Sequence, residues 1–145
     1  MAGARVPENF GALLCETARA WRQRLDQRLK PLGLSQARWL VLLKLARDGD
    51  GMVQKKLAGR VGIEGATLVG LLDRMARDGW IVRRESEHDR RSKNVYLTER
   101  ARSVLPRIEA VAAELRRELL AGIPARDLER CTRVLLHIKE RIEGV

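Results

Sequence analysis

Apolar residues Phe10, Leu14, Trp21, Leu25 and Leu29, with Ala18 between them, recur every three or four positions. That spacing predicts a long amphipathic helix, which Pro31 and Gly33 should end. Its other face carries Arg19, Arg22, Arg24, Arg28 and Lys30. Ser35 suits the N-cap of a second helix containing Trp39, Leu42, Leu43 and Ala46, apolar on most sides and so expected to be buried. The DGDG run at 48–51 closes it. A short segment from Met52 leads into two helical stretches, about 54–61 and 65–78, separated by Gly62 and Ile63; helices joined so tightly must cross steeply. After Gly79 the pattern changes to Ile81-Val82-Arg83-Arg84-Glu85, a charged loop, then Asn94-Val95-Tyr96-Leu97, which predicts a short hairpin. Thr98 can cap a long helix with a stripe through Ala101, Leu105, Ile108, Ala112, Leu115 and Leu119, ending at Gly122, with a kink expected at Pro106. Pro124 suits the first turn of a last helix whose apolar face is Leu128, Cys131, Leu135, Ile138 and Ile142.

These elements make a mainly α chain with a small β-hairpin wing. Residues 35–97 read as a winged helix-turn-helix, and 8–31 with 98–144 as a helical dimerisation region, all within one domain, 1–145. The dimerisation reading rests on the stripes of the first helix and the last two, which are long and lack enough partner surface in so small a chain.

The sharpest local signal is LAGRVGIEGATLVGLL at 57–72. Ala58 permits close approach of two helices and Gly62 accepts a positive φ in the turn, while Ile63, Leu68, Leu71, Leu72 and Met75 face inward. Thr67, Gly70, Arg74 and Arg77 are left on the outer face of the second helix, the face that enters a major groove in helix-turn-helix proteins. A plain helical hairpin would show the same spacing. What separates the two is the hairpin that follows, whose loop SEHDRRSKN holds Asp89, Arg90, Arg91 and Lys93. Arginines there suit a narrow minor groove and phosphate oxygens, with Asp89 expected to hold one Arg side chain extended by a charge-assisted bond. The alternative for that loop is a solvated hairpin tip.

Composition narrows the partner. A chain of 145 residues has room for one core; its net charge of +10 favours a polyanion. Arg outnumbers Lys by 23 to 6, a bias that base composition alone can produce. With 3 Trp, 1 Tyr and 1 Phe the chain is poorly equipped to stack single-stranded bases, whereas duplex DNA makes no such demand. No run approaches the roughly 18 consecutive apolar residues of a membrane span, and the start MAGARVPENF lacks an apolar signal core, so a cytoplasmic, nucleoid-associated protein is expected. Cys15 and Cys131 are too few and too far apart for a disulfide framework; Cys131, on an apolar stripe, is expected in the core. His88 and His137 lack partners at ligand spacing, so no metal or other cofactor is expected. No phosphate loop, paired carboxylates or nucleophile elbow appears, which argues against an enzyme. A basic nucleoid-type protein that coats DNA without sequence preference is the competing reading.

The run from Leu32 to Thr98, above all GIEGATLVGLLDRMARDGW followed by HDRRSKNVYLT, resembles the MarR family of winged-helix regulators, in its SlyA branch. The opening WRQRLDQRLKPLGLSQARW and the terminal helices extend the likeness to about residues 8–143. The resemblance implies a homodimeric transcriptional regulator on a pseudo-palindromic duplex operator. The DNA-facing residues it implies are Gly65, Ala66, Thr67, Gly70 and Arg74 on the recognition helix and Arg84, Arg90, Arg91 and Lys93 on the wing. Gly70 stands where the branch carries a base-reaching Arg, and Ala66 where Pro is frequent. The resemblance further implies release by a small aromatic carboxylate at Arg19 and Trp39, with Leu43 in the place of a branch His; the rival assignment is a core Trp39 and a surface Arg19. A thiol switch at Cys15 is the other regulatory option, without the tyrosines such sensors use.

Overall fold

The computed structural model describes residues 8–144, which fall into two compact units divided between Ala112 and Ala113. In the first unit, α1 (Phe10–Leu29) runs into a short 3-10 turn over Lys30–Leu32, followed by α2 (Gln36–Asp48), β1 (Met52–Val53), α3 (Gln54–Val61), α4 (Gly65–Arg77), β2 (Ile81–Glu85), β3 (Lys93–Leu97) and most of α5 (Glu99–Leu120). The fold is mainly helical with a small sheet, as the hydrophobic pattern predicts.

The core forms around α2, whose Trp39, Val41, Leu42, Leu43 and Leu45 are all buried, together with Leu57 of α3, Leu68, Leu72 and Met75 of α4, and Ile81 and Val95 of the sheet. Each such side chain contributes about 1.5–3 kcal/mol of burial free energy. Trp39 donates its indole N–H to Asp26 of α1 at 3.2 Å, and Leu25 and Leu29 seal the same end of α1. Ser35 occupies the α2 N-cap in extended backbone, but its hydroxyl makes no capping bond; its carbonyl alone opens the helix, accepting Trp39 N–H at 3.1 Å. The apolar stripe expected along the first helix is buried only from Leu25 onward, with Phe10 and Leu14 exposed.

The sheet has three strands rather than the two of the expected hairpin, in the order β1-β3-β2 and antiparallel throughout. Ile81 pairs with Leu97 and Glu85 with Lys93, while Met52 pairs with Val95. A two-residue strand is too short to show an alternating pattern, which is why β1 leaves no trace in the periodicity. Gly51 brings the chain onto β3: its N–H donates to Val95 at 2.8 Å, φ is +87°, and a Cβ there would lie 2.7 Å from the Tyr96 ring. Asp50 fastens the same corner, accepting Leu97 N–H at 2.7 Å and pairing with Arg102 of α5 at 2.7 Å.

Thr98 caps α5 as expected. Its hydroxyl oxygen accepts Ala101 N–H at 3.2 Å, and the same hydroxyl lies 2.7 Å from the Gly79 carbonyl, to which it donates. The helix continues through Pro106 without interruption. The second unit comprises the end of α5, the turn at residues 121–124, and α6 (Ala125–Ile142). Pro124 sits one position earlier than expected, at the N-cap, because its extended ψ of 140° lets its carbonyl accept the first helical N–H groups. No residue of α6 is buried: Val134, Leu135, Leu136 and Ile142 are exposed. Cys131 is exposed too, not in a core, because no element among the described residues covers this face.

Candidate nucleic-acid interface

The turn between α3 and α4 depends on Gly62, whose φ of +77° lets it and Ile63 both donate to the Ala58 carbonyl, at 2.9 and 3.2 Å. Ala58 is half-buried there. Ile63 is half-buried rather than fully inward, since it lies in the turn itself. From Gly65 the chain winds into α4, burying Leu68, Leu71, Leu72 and Met75. No side chain caps its start. The first backbone N–H groups of α4 therefore point outward unpaired, at the positive end of the helix dipole.

The opposite face of α4 is open. Gly65, Ala66, Thr67, Val69, Arg74 and Arg77 are exposed and Gly70 is half-buried. Two ion pairs hold this helix in place: Asp73 with Arg83 of β2 at 2.5 Å, and Asp78, just past its end, with Arg38 of α2 at 2.7 Å. Arg100 of α5 stacks over the Trp80 ring at 4.0 Å and donates to the Asp78 carbonyl. The end of α4 and its outer Asp73 are thus tied to α2, to β2 and to α5, while Arg74 and Arg77 take part in none of the ion pairs among the described residues.

In the wing, Arg90, Arg91 and Lys93 are exposed, and Arg84 lies over the Tyr96 ring, 5.6 Å from its centroid. Asp89 does not hold an arginine side chain as expected. Its carboxylate accepts the backbone N–H of Arg91 at 2.9 Å, and its carbonyl accepts Ser92 N–H at 3.0 Å, so it builds the turn and leaves both guanidinium groups free.

Wing, α3 and α4 meet around a cleft of about 520 Å³, lined among others by Gln54, Lys55, Gly65, Val69, Arg91 and Lys93. Three cations and the open start of α4 converge there, a combination suited to phosphate. Lys55 and Val69 were not singled out by sequence. Lys55 sits in a run of ordinary helix surface, and only the packing of α3 against the wing base gives it company. Two buried oxygens at this end of the sheet, Gln54 Oε1 and Asn94 Oδ1, have no hydrogen-bond partner.

The residues expected to hold an aromatic acid lie in different surroundings. Arg19 is exposed on α1, whereas Trp39 and Leu43 are 2% and 4% exposed inside the core. Cys15 is exposed. Among the described residues there is no group of three or more metal-ligating side chains, and no helix is long and apolar enough to cross a membrane.

Residues 34–93 match the MarR family model. Over its length the chain is similar to a solved structure described as transcriptional regulator PA3341, with 48% identity, 94% of this chain and 99% of that one covered, and a TM-score of 0.86. A putative MarR family transcriptional regulator from Listeria monocytogenes, complexed with a 26mer DNA, shares the fold at 20% identity, 97% and 90% coverage and a TM-score of 0.81. CouR from Rhodococcus jostii RHA1, bound to p-coumaroyl-CoA, does so at 23% identity, 94% and 95% coverage and a TM-score of 0.77.

Proposed function

Because this chain belongs to the MarR family of transcriptional regulators, we propose that it works as a SlyA-like homodimer that binds a pseudo-palindromic duplex operator, with α4 in the major groove and the β2-β3 wing on the minor groove. The observation that carries this reading is the convergence of Lys55, Arg91 and Lys93 with the uncapped start of α4 around one cleft. An unpaired basic set beside an exposed helix face on a chain of net charge +10 is what a duplex backbone demands. DNA-facing roles fall to Gly65, Ala66, Thr67, Gly70 and Arg74 on α4 and to Arg84, Arg90, Arg91 and Lys93 on the wing. The Listeria fold relative, complexed with a 26mer DNA, supports DNA binding by this fold.

Dimerisation through 8–31 and 98–144 is supported by the exposed Leu13 and Phe10 of α1 and by the apolar face of α6, none of whose residues is buried. A palindrome whose half-sites lie one helical turn apart requires the two recognition helices of such a dimer to stand roughly 34 Å apart.

We include release by a small aromatic carboxylate. The fold relative that carries p-coumaroyl-CoA supports an aromatic acyl effector. Arg19 is an exposed cation on α1, open to the carboxylate of a free aromatic acid; the buried Trp39 serves as a reporter of core rearrangement rather than as a stacking platform.

Selection of bound duplexes from a random library, repeated with salicylate, tests the whole reading. A palindromic motif with affinity lowered by salicylate is expected. Equal affinity for all duplexes would replace it with a non-specific coat, and a motif indifferent to saturating salicylate would remove the effector part alone.

A further inference from the structure

Along the outward line of α4 the side chains are Ala66, Gly70, Asp73 and Arg77, one helical turn apart or nearly so. Through the first two turns this face is almost bare of hydrogen-bonding groups: Gly65, Ala66, Val69 and Gly70 have none, and only Thr67 carries a hydroxyl. Asp73 is committed to Arg83. A helix so equipped has little with which to tell one base pair from another.

The space at Gly70 changes this. A Cβ built there would meet a single neighbour within 4 Å, the Nη1 of Arg74 at 3.6 Å. The guanidinium of Arg74 is therefore laid back along the helix toward its N-terminus, over the place a side chain at 70 would fill. Long helical side chains lean this way. Arg74 takes part in none of the ion pairs among the described residues, so its donors are free.

We propose that Arg74, reaching over Gly70, is the specificity-determining arginine of α4 and reads a guanine through O6 and N7, Gly70 acting as the positioning residue whose missing side chain leaves it room. This rests on the duplex-binding reading above. The pairing follows from chemistry: the planar fork of Arg matches the two acceptors of guanine in the major groove, and a lysine in its place is a point charge without that match. A Cβ alone at position 70 touches Arg74 at ordinary contact distance, whereas a Leu side chain would occupy the guanidinium's volume.

The test is duplex selection with the full chain, comparing wild type, Arg74→Ala, Arg74→Lys, Gly70→Leu and the wing variant Arg90→Ala, each checked by circular dichroism. Wild type should select a guanine at one symmetric position in each half-site. Arg74→Ala, Arg74→Lys and Gly70→Leu should each lose that preference, by roughly 5- to 150-fold, while keeping the other positions. Arg90→Ala should weaken all sequences together. If Arg74→Ala selects the same motif as wild type, or Gly70→Leu keeps the guanine, the proposal is overturned and the duplex-binding reading stands. If wild type binds duplexes without any motif, sequence-specific reading fails first and this falls with it.

Discussion

Gly59 shows how far a single residue can be separated from function. It is exposed in the middle of α3, and a methyl group added there would meet nothing within 4 Å, so only its helix propensity is at stake. Gly59→Ala is expected to stabilise the fold by about 0.5–1 kcal/mol, read as a raised unfolding midpoint in denaturant. Asp50 is the opposite case. Its carboxylate satisfies the N–H of Leu97 and pairs with Arg102, so Asp50→Ala leaves a part-buried donor without its acceptor. The expected cost is about 1–3 kcal/mol, with Asp50→Asn recovering part of it in the same titration. Leu72, fully buried on α4, should cost about 2–5 kcal/mol as Leu72→Ala.

Among elements, the bond that bears most on the interface is between α4 and β2. Asp73 and Arg83 meet at 2.5 Å, with the Asp73 side chain half in water, so the pair adds no more than about 1 kcal/mol to stability. Its effect on duplex binding should be larger, because it ties α4, the proposed recognition helix, to the wing strand β2. Asp73→Ala is expected to leave thermal unfolding nearly unchanged while weakening duplex binding; a double-mutant cycle with Arg83→Ala, read by binding, should show coupling. Additive losses would mean that the two residues act independently. At the wing, Arg91→Ala should weaken duplex binding and leave the circular dichroism spectrum unaltered, since that side chain is exposed and Asp89 builds the turn through the backbone.

For the whole molecule, the surface that matters most is that of α6. Its Val134, Leu135, Leu136 and Ile142 are exposed, and a second copy is the proposed cover. Sedimentation at low micromolar concentration should give a dimer, and Leu135→Glu a weakened or monomeric one that has also lost operator binding. A folded monomer in the parent chain would refute this. Duplex affinity should fall steeply with salt, in proportion to the phosphates neutralised, because the interface cations are unpaired and solvated before binding.

What the sequence determined by itself is everything that depends on neighbours along the chain. The apolar spacing and the glycines at 33, 62 and 79 are local signals, so the limits of α3 and α4, the wing strands and the capping role of Thr98 were legible. The outer face of α4 followed from the same period, since residues opposite Leu68 and Leu72 must point away from the core. Tertiary structure alone decided which groups meet across long stretches of chain. The Asp50 carboxylate finds Leu97 47 positions away, and β1 exists only because Met52 lies against Val95. Asp89 could bond to a side chain or to the backbone, and the turn geometry chose the backbone. Trp39 could be a ligand platform or core, and the packing of α1 over α2 put it in the core; Cys131 lies on as good an apolar stripe, yet nothing among the described residues covers it. Periodicity says which face is apolar, but burial requires a second surface, and that surface is supplied by residues distant in the chain or by another chain.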